Sequence, residues 1–290
     1  MPEPERRREG FSVLMSCYGG DDPDFLERAV RSVTDEQTLA PSEMVLVVDG
    51  PLPALLQGRV EQVVARSSVP VRLVRLPVNS GLGPALNAGL AACAHEIVAR
   101  MDADDVSMPH RFAVQVPLVS DRFDLLGSAI TEFVDDPEVS RATRPVRTTE
   151  SAIASGMRLR QSFNHPTVVF RASTVERVGG YQPLPSLEDY WLFARIVSSG
   201  ARVGNVAEPL VAYRVGAGAY ARRGGASLAR SEWELQRRLR SIGFTTRSQF
   251  TRNVLVRVGY RIVPETVRRT AYRGLFTRSS RVGPGDPPGT

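Results

Sequence analysis

The chain has 290 residues, of which 42% are hydrophobic and 23% charged. That mixture belongs to a soluble globular protein and excludes disorder as the default, while the length suits one large α/β domain with an appendage. All 37 basic residues are Arg; residues 1–213 hold 21 of them against 27 acids, whereas residues 214–290 hold 16 against 4. The positive charge belongs to the tail, where it fits either a polyanionic partner (a membrane surface or a nucleic acid) or a solvated helical face.

Cys17 and Cys93 stand far apart with no companion Cys or His at metal-binding intervals, so neither a zinc site nor a disulfide framework is indicated. The apolar stretch from Phe11 is cut short by Gly19, Gly20 and Asp21, unlike a signal peptide. No run approaches the roughly 18 apolar residues of a spanning helix. The expectation is a cytosolic protein with room for peripheral contact at the inner face of the membrane.

In chain order, a leader over residues 1–10 precedes a buried strand from Phe11 to Tyr18, and Asp24 to Val33 then carries apolar residues at helical spacing. Met44 to Val48 and Val71 to Leu76 read as further strands, Leu82 to Cys93 as a helix and Ile97 to Met101 as a fourth strand. Continuous apolar strands alternating with helices predict an open, mostly parallel sheet covered on both faces. Asp124 to Ile130 reads as a fifth strand and Thr131 to Ser162 as irregular and polar. Thr167 to Phe170 and Val203 to Val206 read as short strands, with a helix from Glu188 to Ser199 between them. From Ser227 the tail is helical in pattern, interrupted at Pro264, and residues 282–290 have the Gly/Pro-rich composition of disorder.

In such sheets ligands sit at the carboxyl ends of the strands. There the sequence turns polar: Tyr18-Gly19-Gly20-Asp21-Asp22, Asp49-Gly50-Pro51, Asn79-Ser80-Gly81 and Asp102-Ala103-Asp104-Asp105 follow four consecutive strands. Two carboxylates one residue apart, Asp102 and Asp104, can serve one divalent cation, Mn²⁺ or Mg²⁺, and a neighbouring ribose. The same acids can equally form a turn that caps a helix near Pro109. Asp49 fits either a base or ribose contact or an Asx-type turn. The glycines after Asn79, Gly81 among them, permit close backbone approach to a phosphate at a helix start.

Glu188 and Asp189 open a helix, where a carboxylate can deprotonate an acceptor hydroxyl or merely favour the helix dipole. His165, in Asn164-His165-Pro166, is one of only 3 His residues and reads as site-lining or structural.

As a set, these segments resemble family 2 glycosyltransferases with the GT-A fold, in particular bacterial members that build extracellular polysaccharide. The matching stretches run from Phe11 through Cys17-Tyr18, Val47-Val48-Asp49-Gly50-Pro51, Asn79-Ser80-Gly81-Leu82-Gly83 and Ala99-Arg100-Met101-Asp102-Ala103-Asp104-Asp105 to Phe163-Asn164-His165-Pro166-Thr167, Gly179-Gly180-Tyr181 and Leu187-Glu188-Asp189-Tyr190. They keep the family's order across about residues 11–215, leaving a basic helical region over 216–281. The resemblance implies an inverting, metal-dependent transfer from a nucleotide sugar to a glycan or lipid-linked hydroxyl. It implies that Tyr18 and Asp49 contact base and ribose, Asp102 the ribose or phosphate side, Asp104 the metal, and that Asp189 is the base. Asn79, Gly81 and Arg100 fall in the same stretches and join the set expected to bind the nucleotide sugar. Two departures are visible: Gly19 stands where Asn is usual, and Gly50 where many members have a second Asp.

Phe250 to Ile262 interleaves Arg252, Arg257 and Arg261 with apolar residues, a composition suited to a membrane interface. Among rivals, a sugar nucleotidyltransferase should carry a basic Gly-rich loop after the first strand, but here that loop is acidic. A dinucleotide dehydrogenase lacks its glycine spacing there. A non-catalytic membrane- or nucleic-acid-binding module would leave the strand-end acids unexplained, and no nucleic-acid partner is expected.

Overall fold

A computed structural model describes residues 8–139, 142–216 and 226–259. The parallel layer comes from β1 (Arg8–Tyr18), β2 (Glu43–Asp49), β3 (Val71–Leu76) and β4 (His95–Met101), in the order β3-β2-β1-β4. Between them run α1 (Pro23–Val33), α2 (Ala54–Arg66) and α3 (Leu82–Ala92). The strands are apolar at successive positions because both faces are covered. Leu14, Val45, Val47 and Val98 enter one core with α3, while Val13, Met15, Met44, Leu46 and Met101 enter the other with α1 and α2. The first strand begins three residues before the expected boundary, since Arg8 already pairs with His95.

Beyond β4 the sheet changes direction. β5 (Val106–Ser107) and α4 (Arg111–Asp121) precede β6 (Leu125–Phe133), which pairs with β7 (Ala142–Arg144), while α5 (Glu150–Met157) follows. The expectation of irregular chain over Thr131 to Ser162 is therefore corrected: α5 is short, rich in Ala, Ser and Gly, and gives little periodic signal, yet it buries Ile153 and Met157. β8 (Val169–Arg171) joins β4 to β6 antiparallel to both, and α6 (Ala172–Arg177) and α7 (Glu188–Ser198) lead to β9 (Val203–Arg214).

β9 is three times the length the sequence pattern suggests. The expected strand stops at Val206, but the ladder with β6 shifts register around Pro209 and continues to Arg214. That continuation carries Tyr213 and Arg214 beside the turn after β4, where β5 pairs with Val211 and Ala212.

The tail forms α8 (Ala226–Ser241) and α9 (Arg247–Asn253), followed by a π-helical turn over Val254–Val258. This hairpin docks on the domain through Leu235 and Leu239, which enter the core beside α7, and through polar groups. Arg257 pairs in two-pronged fashion with the fully buried Glu232, at 2.6 and 2.9 Å, and donates to the Leu159 carbonyl at 2.8 Å. Asn253, also fully buried, donates to the Arg158 carbonyl at 2.6 Å. Asn253 and Arg257 therefore hold one side of this stretch to the domain. Leu255 and Val256 remain exposed. Arg261, Ile262, Pro264, residues 1–7 of the leader and the 282–290 tail lie outside the described residues.

Candidate active site

The carboxyl ends of β1, β2 and β4 and the loop after β3 open into one cavity of about 530 Å³. Tyr18, Asp49, Asn79, Gly81, Asp102 and Asp104 all line it, so the sequence expectation of a shared rim is met geometrically. A second cavity of about 860 Å³ adjoins it and is lined by Arg100, His165, Glu188 and Asp189. Leu82 and Asp102 belong to both linings. Asp102 is thus the carboxylate at the junction.

In the first cavity, Asp49 accepts from the backbone N–H of Ser80 at 2.7 Å and of Gly81 at 2.9 Å. Each carboxylate oxygen keeps a further lone pair for a ligand. The carboxylate so pins the loop that starts α3. Gly50 after it has φ +87°, and a Cβ there would lie 2.5 Å from the Asn79 nitrogen, so neither the backbone nor the space admits the second Asp usual in the resembled family. Gly81, with φ +88° and open space around it, is required for its conformation rather than for room.

The acidic turn after β4 caps no helix. α4 starts at Arg111 after His110, without a side-chain cap. Carboxylate oxygens of Asp102, Asp104 and Asp105 instead lie within 4.8 Å of one another. Asp105 is fully buried; one oxygen accepts from the Arg214 backbone N–H at 2.8 Å and the other has no protein partner. Burial, then Asp102 and Asp104, pushes the Asp105 carboxyl well up. Asp104 is exposed at the mouth, yet desolvation followed by the charge of Asp102 raises it to about 6, with solvent screening part of that. Asp21, whose carboxylate accepts from Tyr18 N–H at 2.9 Å, is likewise raised to about 6, first by burial, with Asp104 and Asp102 adding to it. Clustered hard oxygen ligands crowded enough to resist joint ionisation suit a divalent cation.

Sequence reasoning missed Arg214, the guanidinium in this acidic cavity. It lies 3.6 Å from the Phe25 ring centroid and 4.5 Å from that of Phe133, and donates to the carbonyls of Asp104 and Val134. Nothing in local sequence marks it, because β9 brings it there from more than a hundred residues away. Cys17 also lines the cavity, but burial pushes its thiol up to about 12, so it stays protonated.

In the second cavity, Asp189 is oriented on both oxygens. Gln161 donates to Oδ2 at 2.5 Å, and the Tyr190 backbone N–H to Oδ1 at 2.6 Å. Burial nevertheless raises its carboxyl, with Gln161 opposing. Glu188 is raised to about 7 by burial and then by Asp189, so the dipole of α7 does not dominate either acid. Arg100, fully buried, pairs with Asp102, two residues on along the strand edge, and leaves Nε and Nη1 without a protein partner. It faces the second cavity and is absent from the lining of the first. His165 is buried, bonded through Nε2 to the Tyr181 hydroxyl at 2.9 Å, and held well below its usual range by burial and then Arg100. It is therefore neutral and structural at the wall. Gln161 was also missed; only its nearness to Asn164-His165 hinted at it.

Residues 12–177 match the family model described as glycosyl transferase family 2. An uncharacterized glycosyltransferase of Haemophilus influenzae is 36% identical over 270 residues, covering 92% of this chain and 99% of the relative. The amylovoran biosynthesis glycosyltransferase AmsE of Erwinia amylovora is 35% identical, over 90% of this chain and 97% of its own. The Escherichia coli UDP-Gal:alpha-D-GlcNAc-diphosphoundecaprenol beta-1,3-galactosyltransferase is 32% identical, over 92% and 97%. Among solved structures, Staphylococcus aureus TarS 1-349 in complex with UDP-GlcNAc superposes with a TM-score of 0.63 at 17% identity, covering 92% of this chain and 76% of that one. The mannosyltransferase PcManGT of Pyrobaculum calidifontis, in complex with GDP-Man and Mn²⁺, gives 0.61 at 16% identity, covering 93% and 76%. These two establish the fold as GT-A-like, and the family match and full-length relatives establish the chemistry in outline: this chain is a glycosyltransferase belonging to glycosyl transferase family 2.

Proposed function

We propose that the first cavity is a donor chamber for a nucleoside-diphosphate sugar and the second an acceptor chamber, with transfer occurring where they meet at Asp102. The observation that carries this reading is the shared lining: one cavity rich in clustered acids abuts another that contains a doubly oriented, desolvated carboxylate. Tyr18, Asp49, Asn79 and Gly81 receive base and ribose. Arg214 and the cation-binding acids face the diphosphate.

Asp104, with Asp102 and Asp105 beside it, would hold Mn²⁺ or Mg²⁺. Bound there, the cation offsets charge building up on the departing diphosphate. The chain's own part begins with Asp189. Its carboxylate takes the proton of the acceptor hydroxyl as that oxygen attacks the anomeric carbon; the bond from that carbon to the phosphate oxygen breaks, and its electron pair leaves with the nucleoside diphosphate. Attack opposite the leaving group inverts the anomeric centre. A raised pKa makes Asp189 a stronger base near neutrality, and Gln161 keeps it aimed. Arg100 fixes Asp102 at the junction.

The acceptor class we assign is a lipid-linked sugar of envelope polysaccharide assembly, which the name of the E. coli relative supports by similarity. Among the described residues no helix is long and apolar enough to cross a membrane. Work at the cytosolic membrane face would then use peripheral contact, for which Trp233, Ile242, Leu255 and Val256 of the C-terminal hairpin are among the exposed apolar groups. Sedimentation with anionic vesicles tests that contact; a protein left wholly in the supernatant argues against it.

A thermal-shift screen of nucleotide sugars with and without Mn²⁺, followed by turnover with the best ligand, tests the main reading. Stabilisation by one nucleotide sugar that depends on the metal, followed by transfer, supports it. No response to any nucleotide sugar contradicts it.

A further inference from the structure

We propose that the acceptor chamber contains a phosphate-reading subsite formed by Arg147 and Arg160, which binds a phosphoryl or diphosphoryl group carried by the acceptor sugar. This rests on the two-chamber reading above. The chamber is lined by the acids Asp189 and Glu188, and its lining also includes Arg144, Arg147 and Arg160. Arg144 is already paired with Glu132 and stacked over Tyr213. Among the described residues, Arg147 and Arg160 have neither an ion pair nor a side-chain hydrogen bond. Two guanidiniums left unpaired in one concave wall are suited to an anion, for which their planar donors are shaped.

The placement of each residue fits a ligand that also reaches the base. Arg160 directly precedes Gln161, which donates to Asp189. Consecutive Cα atoms are about 3.8 Å apart, so Arg160 is rooted one step from the residue that aims the base. Arg147 is laid across α5: a Cβ on Gly156 would come within 2.7 Å of its Nε and 2.8 Å of its Cζ. Gly156 thus leaves room for the guanidinium beside the last turn of that helix, where the dipole favours a cation. Neither Arg lines the donor chamber, so the diphosphate of the nucleotide sugar does not account for them. An acceptor with its hydroxyl at Asp189 and its anomeric phosphate at Arg147 and Arg160 would use both the carboxylate and the unpaired guanidiniums of one chamber.

The test is a titration of the full chain with its donor chamber saturated by UDP and Mn²⁺, or by GDP if that is the nucleotide taken. The probes are dodecyl diphosphate, inorganic pyrophosphate and the neutral dodecyl maltoside. Each lost charge-assisted pair costs roughly tenfold in affinity, so Arg147→Gln/Arg160→Gln should weaken diphosphate binding by about 100-fold while nucleotide affinity holds. Arg147→Lys/Arg160→Lys should recover most of it. Tighter binding of dodecyl diphosphate than of pyrophosphate identifies a lipid-linked source, and equal binding a soluble sugar phosphate. Unchanged diphosphate binding in the Gln variant, or binding of dodecyl maltoside as tight as that of dodecyl diphosphate, overturns the subsite. A wild-type protein that binds no nucleotide would instead overturn the donor-chamber reading, and the Arg variants would still decide whether the subsite exists.

Discussion

The two chambers meet at one carboxylate but are built by different means. The donor chamber is made by topology: parallel strands end together, and the loops that follow them supply Asp21, Asp49, Asp102 and Asp104 to one rim. The acceptor chamber is made by buttressing. Its segment from Arg158 to Gln161 has no strand to anchor it; it is held from behind by Asn253 and Arg257 of the C-terminal hairpin, and in front it presents Gln161 to Asp189. A sheet edge positions ligands cheaply and locally, whereas the base is aimed by contacts spanning about a hundred residues of sequence. The chambers should therefore fail differently when perturbed.

The largest separation is expected at Asp189. Asp189→Asn should lower transfer by roughly 10² to 10⁴-fold, the usual weight of a general base, and leave nucleotide binding intact by titration. In the wild type the rate should fall as pH drops through the raised pKa of Asp189, because only the ionised carboxylate accepts the proton. A pH–rate profile that is flat on its acid side would remove the base from its role.

Next comes the buttress. Arg257→Met removes the guanidinium partner of the fully buried Glu232 and leaves it the Gln236 amide, and breaking one side of a buried pair costs about 3–5 kcal/mol, measurable by urea unfolding. By releasing the segment ahead of Gln161 it should lower kcat more than it raises KM for the nucleotide sugar. Equal losses in both would mean that the hairpin supports the whole domain rather than the acceptor side.

The smallest effect concerns Glu188. Its folded pKa, about 7, stands above the ordinary value of 4.5. Between those values the native state binds a proton that the unfolded chain has released, so stability declines as pH rises through the window. Glu188→Gln is free of that penalty. It should raise Tm by about 2–4 °C at pH 8 if the gain is near 1 kcal/mol, with the difference vanishing near pH 4.5. A constant offset across pH would refute the burial of an ionising carboxyl there.

The same contrast explains what the sequence made legible. Continuous apolar runs ending in Asp, Asn and Gly identified β1 to β4 and the donor rim, since local pattern and local position coincide there. Arg214, Gln161 and the Arg147–Arg160 wall were invisible for the opposite reason. Each owes its place to a long-range pairing: β9 running on past Pro209, or α5 and the hairpin clamping an irregular stretch. Arg100 shows the limit within a single motif. It lies in the same short stretch as Asp104, yet Arg100 is still within β4 and lines the second cavity, whereas Asp104 lies in the turn beyond Met101 and lines the first. Arg257, read from composition as suited to a membrane interface, is turned inward by the buried Glu232 and the Leu159 carbonyl.

The division of labour between the chambers is tested most directly by titrating Asp104→Asn and Asp189→Asn side by side with the active nucleotide sugar, with and without Mn²⁺, and measuring transfer by each. The account predicts that Asp104→Asn loses the metal-dependent part of binding, while Asp189→Asn keeps it and loses transfer. Near-normal transfer by both variants, or loss of metal-dependent binding in Asp189→Asn alone, would contradict it.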